Sequence, residues 1–209
     1  MIIVNDSKDR ELCPEGTHNA VCVTILDLGT QAHEKWGDKR KLNVAFEVDE
    51  EDEEGKRFIV FKTYTASLAQ KASLTADLKS WLGIKIEKGE EFDMDTILNK
   101  PGMVTIVHNE STDGKVYANV DTITSLPKGI KPLKPNAEVV SMYLEEGSFD
   151  QEVFDNLPDF IQDKIKVTEE YKTLMASRVA KRKAKPEPVQ QKQSRKAEPA
   201  KTAKGKRGR

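Results

Sequence analysis

The sequence predicts a mainly β fold with one helix between its third and fourth strands. Three observations predict it. Ser67 to Gly83, SLAQKASLTADLKSWLG, is the only strongly helical run in the first 130 residues. Three runs that alternate apolar and polar residues precede it, and two follow. Turn residues separate the runs. Three strands, a helix and two strands is the order of the five-stranded OB barrel, whose surface binds single strands or oligosaccharides. The helix is then the plug that closes one end of the barrel.

The elements follow in order. Residues 1–17 read as an irregular lead-in with a turn at Pro14-Glu15-Gly16. The first strand runs from about His18 to Leu28, with Val21, Val23 and Ile25 alternating against Ala20, Cys22 and Thr24, and Gly29 is expected to end it. The loop TQAHEKWGDK follows. Lys39 to Asp49 alternates again, with Leu42, Val44, Phe46 and Val48 on one face. The acidic turn EEDEEG leads into a third strand, Lys56 to Thr65. There Phe58, Val60 and Tyr64 share a face with Lys62, while Ile59 and Phe61 lie opposite with Thr63 and Thr65.

In the helix, Leu74, Leu78, Trp81 and Leu82 form one apolar stripe. Ser67 with Gln70 reads as a capping box, and Gly83 as the stop. Phe92 to Leu98 is expected to add a short helical turn. Met103 to His108 and Val116 to Leu126 form a hairpin, with a turn signal at Asp113-Gly114. PKGIKPLKP, 127–135, holds too many prolines for an element interior and marks the barrel boundary. Beyond it, Ser148 to Gln151 reads as a capping box for a short helix, Pro158 as the first turn of another, and Thr168-Glu169-Glu170 as the start of a last one. The chain thus divides into a lead-in (1–17), an OB-type nucleic-acid-binding domain (18–130), a helical extension (131–180) and a disordered basic tail (181–209). Phe149, Phe154, Leu157, Phe160 and Ile165 give the extension enough apolar groups to pack on the barrel or on a partner.

Net charge is −1, but the distribution is split. The stretch from Arg178 to Arg209 carries +11, and the first 177 residues carry −12. A basic arm on an acidic body suits polyanion binding, because clustered cations release counterions from phosphates; a solubilising tail is the plainer alternative. No run approaches a membrane span, and the opening residues lack a signal peptide's apolar region, so a cytoplasmic protein is expected. Cys13 and Cys22 do not make a disulfide framework.

Single-strand binders need cations to follow the backbone and aromatic faces to stack bases. The first loop and second strand offer Lys35, Trp36, Lys39, Arg40 and Lys41. The third strand offers Lys62 and Tyr64, and the fifth offers Lys115 and Tyr117. These nine are the candidate site. The acidic turn Glu50 to Glu54 opposes it by repelling phosphate; it reads equally as a solvated hairpin tip, a boundary of the groove or a holder of the basic tail. For catalysis the sequence offers little. His18, His33 and His108 are scattered, and there is no HExxH, phosphate loop or GxSxG. A Cys13/His18/Cys22/His33 metal site lacks paired CxxC spacing. No cofactor is expected, and an enzyme of nucleic-acid metabolism is the weakest of the readings.

The segments AVCVTILDLGTQ, KTYTASLAQKASLTADLKSWLG, FDMDTILNKPGMVTIVH, GKVYANVDTITSLPKG and LPDFIQDKI…TEEYKTL resemble a family of small bacteriophage proteins over about residues 15–177. The resemblance implies an OB-fold single-stranded DNA-binding protein of phage replication or recombination. Its partners would be single-stranded DNA and the phage's replication or recombination proteins, in the host cytoplasm. The rival reading is a protein-interaction module whose basic tail docks on an acidic partner.

Overall fold

The computed structural model describes residues 11–35, 37–111 and 114–184; Trp36 and the basic tail from 185 onward lie outside the described residues. The elements are β1 (Gly16–Gln31), β2 (Lys39–Glu51), β3 (Arg57–Thr65), α1 (Ser73–Leu82), a 3-10 turn (Met94–Ile97), β4 (Pro101–Glu110), β5 (Val116–Thr124), β6 (Val140–Met142), α2 (Gln151–Asp155), α3 (Asp159–Lys166) and α4 (Glu169–Ala184).

The fold is mainly β, as expected. Its strands run antiparallel in the order β3-β2-β1-β4-β5, and the short β6 adds a parallel pairing to β1. β1 is longer than the sequence suggests. Gly29, expected to end it, takes φ 70° where the β1–β2 register shifts between Asp27 and Gly29. A left-handed glycine at such a shift makes a bulge and lets pairing continue to Gln31. A Cβ at Gly29 would also lie 2.7 Å from the Thr168 hydroxyl, so the glycine lets the start of α4 press on the strand.

The expected closure of the barrel is not observed. No hydrogen-bonded ladder joins β3 to β5. The two edges meet instead through Lys62, whose ammonium donates to the Asp121 carbonyl. α1 ties the strands across this seam. The Tyr64 hydroxyl of β3 donates to Asp77 (2.8 Å), the Ser80 hydroxyl donates to the Ile123 carbonyl of β5 (2.7 Å), and the Trp81 indole donates to the Pro101 carbonyl of β4 (2.8 Å). Its apolar stripe of Leu74, Leu78 and Trp81 is buried in one cluster with Val44, Phe46, Val60 and Ile106. The buried stripe read from its spacing therefore matches its packing.

The helix is shorter than its sequence signature. Ser67 and Gln70 do not cap it. The Ser67 hydroxyl accepts from Ala69 N–H at 3.3 Å within a separate turn, and α1 starts six residues later with Ala72 at its N-cap. Gly83 does end it, at φ 68°. The second expected capping box is also displaced: Asp150, not Ser148, accepts from the first amides of α2.

Of the two expected homes for the stretch 131–180, the sheet or a partner, the structure shows it packed on the sheet. Residues 131–139 form a strap over the outward face of β1 and β2, where Leu133, Ala137 and Val139 pack on Val21, Val23 and Ala45. α2 to α4 then bury Phe154, Ile161, Ile165 and Leu174 against Leu26 and Leu28, on the far half of β1. One long strand thus lines three apolar clusters, the first with α1 through Ala20, Cys22 and Ile25, and the helices dock on the sheet.

Glu47 pins the strap. Its buried carboxylate accepts from the amides of Asn136 (2.9 Å) and Ala137 (2.6 Å) and from Arg57 (2.8 Å). Burial alone would raise this carboxyl, but the Ala137 amide, Arg57 and the Asn136 amide outweigh it and hold the pKa below its ordinary value. A depressed carboxylate contributes stability above the unfolded value of about 4.3, and loses it as pH falls through the folded value. Glu47→Gln is therefore expected to cost about 1.5–3 kcal/mol at pH 7, the range for a charged hydrogen bond. Urea titrations should show this difference shrinking below about pH 4.3; a constant difference would mean that Glu47 is not ionised in the strap contact.

Candidate nucleic-acid interface

The structure does not bring the nine candidate residues onto one surface. Lys39 pairs with Gln31 at the end of β1, whereas the β4–β5 hairpin lies beyond Ile106, which pairs with Gly16 at the start of β1. Lys35, Lys39, Arg40 and Lys41 therefore sit toward one end of that strand, and Lys115 and Tyr117 toward the other. Trp36, the aromatic of the first group, lies outside the described residues.

Several of the nine are already engaged. The Arg40 guanidinium donates to the buried carboxylate of Asp27 and to Glu145 at 3.2 Å. Its hydrogen bonds to Asp27 raise its pKa still further. The Lys41 ammonium donates to the Thr65 hydroxyl at 2.9 Å. Lys62 pairs with Asp77 at 2.8 Å and lies over the Tyr64 ring, 5.6 Å from its centroid. Its charge joins β3, β5 and α1, so the phosphate role read for it gives way to a structural one.

Tyr64 requires the plainest correction. It is 2% exposed, and burial raises its hydroxyl pKa, with the Asp77 charge adding to the effect. No ring face is open to a base. The expected stacking role does not fit, because its inward position on β3 puts it under α1. Lys35 and Lys39 are exposed, as is Lys115. Tyr117 is 48% exposed.

Sequence reasoning missed Phe61. It is 45% exposed on the outward face of β3, next to the half-exposed Ile59. The signal was present: both faces of RFIVFKTYT carry aromatic residues, so one aromatic must point outward if the other is core. Phe61 and Tyr117 occupy the outward faces of the two edge strands that meet at the Lys62–Asp121 contact.

Neither a protein-family model nor a curated protein matches the chain.

Among the described residues, no group of three or more His, Cys, Asp and Glu is placed to hold a metal ion. Burial, with Glu50 and Asp49 adding, pushes the Cys13 thiol up to about 12. Burial does the same for Cys22. Both thiols therefore stay protonated at neutral pH, and protonated thiols are poor nucleophiles and poor ligands. His18 is committed to the Pro14 carbonyl at 2.9 Å and His108 to the Cys13 carbonyl at 2.8 Å. These bonds hold the lead-in against the sheet. No helix among the described residues is long and apolar enough to cross a membrane.

Proposed function

We propose that this chain binds single-stranded DNA with little sequence preference, coating it during phage replication or recombination. The observation that carries the reading is the strand order β3-β2-β1-β4-β5, with α1 in the chain between β3 and β4 and the outer edges in contact. That is the order of an OB barrel, here with its last seam bridged by a side chain instead of a ladder. The resemblance of 15–177 to phage single-strand binders points the same way.

On this reading, Phe61 and Tyr117 are the stacking faces and replace Tyr64. Lys35, Lys39 and Lys115 supply charge at the two ends. Binding needs only groove electrostatics and base stacking, with no cofactor.

The test is a fluorescence or gel-shift titration with oligo-dT, repeated with duplex DNA and RNA. Phe61→Ala and Tyr117→Ala should each weaken single-strand binding by about 1–3 kcal/mol. Their thermal unfolding should stay near wild type, since both side chains are half exposed. A wild-type protein that fails to bind oligo-dT at low salt sinks the reading. Phe61 and Ile59, apolar and open on an edge strand, would then favour a protein-docking surface.

A further inference from the structure

The strongest unused feature is the strap itself. PKGIKPLKP, the turn at 127–130 and the start of the strap, places Lys128, Lys131 and Lys134 three residues apart. All three are exposed, and none of their ammonium groups has a hydrogen bond or ion pair among the described residues. They differ in this from Arg40 and Lys62, whose charges are paired with carboxylates, and from Lys41, whose ammonium is held by the Thr65 hydroxyl.

The backbone that carries Lys131 and Lys134 is held, and Lys128 sits in the turn closed by the Ile130 amide on the Pro127 carbonyl. The Lys131 carbonyl accepts from the Asn19 side chain at 3.0 Å, and the Lys134 carbonyl from Arg57 at 2.9 Å. Glu47 holds the next two amides, Asn136 and Ala137. Pro132 and Pro135 follow the two lysines, and a residue before proline is kept extended. An extended polyproline-like run repeats every three residues, about 9 Å. Lys131 and Lys134 thus fall on one side, while Leu133 faces another and packs on Val21, Val23 and Ala45. The only carboxylate between 127 and 139 is Glu138.

The strap also borders the candidate stacking surface. Ala45, beneath it, pairs with Phe61 across β2–β3, and Glu47, which pins it, pairs with Ile59. Ile59 and Phe61 therefore lie along its flank.

We propose that the strap is the phosphate-tracking element of the single-strand site, with Lys128, Lys131 and Lys134 following the backbone while bases turn toward Phe61. This rests on the single-strand reading above and assigns its cations to residues outside the nine candidates. Fixed lysines are suited to the role because their carriers need not be ordered on binding.

The experiment is an oligo-dT titration over a range of salt with the full chain. The triple variant K128Q/K131Q/K134Q is compared with K79Q/K85Q/K88Q, which removes the same charge from exposed positions in and after α1. Three lost phosphate contacts should lower the salt slope by about 2, at about 0.7 per phosphate on single strands. The α1 variant should leave the slope near wild type. Phe61→Ala should weaken binding with an unchanged slope, since stacking releases no counterion. If the strap variant keeps the wild-type slope while wild type binds, the strap assignment falls and the single-strand reading stands. Equal losses in the two triple variants overturn it as well, because net charge alone would then be responsible. If wild type does not bind at all, both readings fall together.

Discussion

Replacing Trp81 by Ala is expected to destabilise the fold by about 3–5 kcal/mol, the range for a large aromatic removed from a core. Trp81 is buried under the sheet, edge-on to Phe46 with ring centroids 5.4 Å apart. Its indole N–H is the donor to the Pro101 carbonyl, at 2.8 Å. The site is also shaped for it. A Cβ on Gly102 would come within 2.5 Å of the indole nitrogen, so β4 carries glycine where the ring lies on its backbone. Ala at 81 would leave a cavity in a cluster of rigid neighbours and an unpaired carbonyl at the start of β4. Trp81→Phe bears mainly on the second loss, because it keeps the aromatic packing in part and removes the donor. It should cost less, about 1–3 kcal/mol for the stranded acceptor. Urea unfolding should show these losses as lower midpoints at an unchanged slope. A Trp81→Ala cost below about 1 kcal/mol would mean that α1 does not plug this core.

The same helix shows what the sequence carried and what it did not. Leu74, Leu78 and Trp81 recur at helical spacing, and that spacing is set by the helix alone, so the buried face was legible. The start was not. Ser67 with a Gln three residues on satisfies the capping pattern, but a serine hydroxyl can equally bond the amide two residues on and make a turn. Ser67 does the latter. The site was less legible for a related reason. Alternation on β3 sorts Phe58, Val60 and Tyr64 from Ile59 and Phe61, yet with aromatics on both sides it does not say which side is inside. That choice is made by α1, which covers Tyr64, and by the strap, which stops short of Phe61. Cationic clusters mislead in the same way. Arg40 reads as a free charge beside Lys39 and Lys41 until the fold sets Asp27 against it. The prolines of 127–135 look like a boundary in the sequence. They do exclude helix and ladder, but an extended run with pinned carbonyls is still an ordered part of the sheet's outer face.

Arg40 decides between two roles that the sequence alone merges. If it serves nucleic acid, Arg40→Ala should leave a stable protein that binds single strands less well. The structure supports the opposite outcome: a loss of about 3–5 kcal/mol in stability, the range for breaking a buried pair by deleting one partner. Asp27 has no exposure to solvent, and two of its hydrogen bonds come from the amides of Gly29 (2.9 Å) and Leu144 (3.2 Å). Arg40 supplies the remainder and continues to Glu145. The carboxylate thus joins the bulge of β1, the start of β2 and the chain entering the helices. Without Arg40 it is a buried charge with no cation beside it. Asp27→Ala should cost a comparable amount by another route, because the guanidinium left behind is 35% exposed and can turn to water. Its cost lies in the stranded amides, at about 1–3 kcal/mol for each buried group left unpaired. The double variant should then be less destabilised than the sum of the two single ones, since neither stranded charge remains. Thermal and urea unfolding of the three variants supplies the cycle. Additive losses, or an Arg40→Ala protein of wild-type stability with weakened oligo-dT binding, would return Arg40 to the nucleic-acid interface.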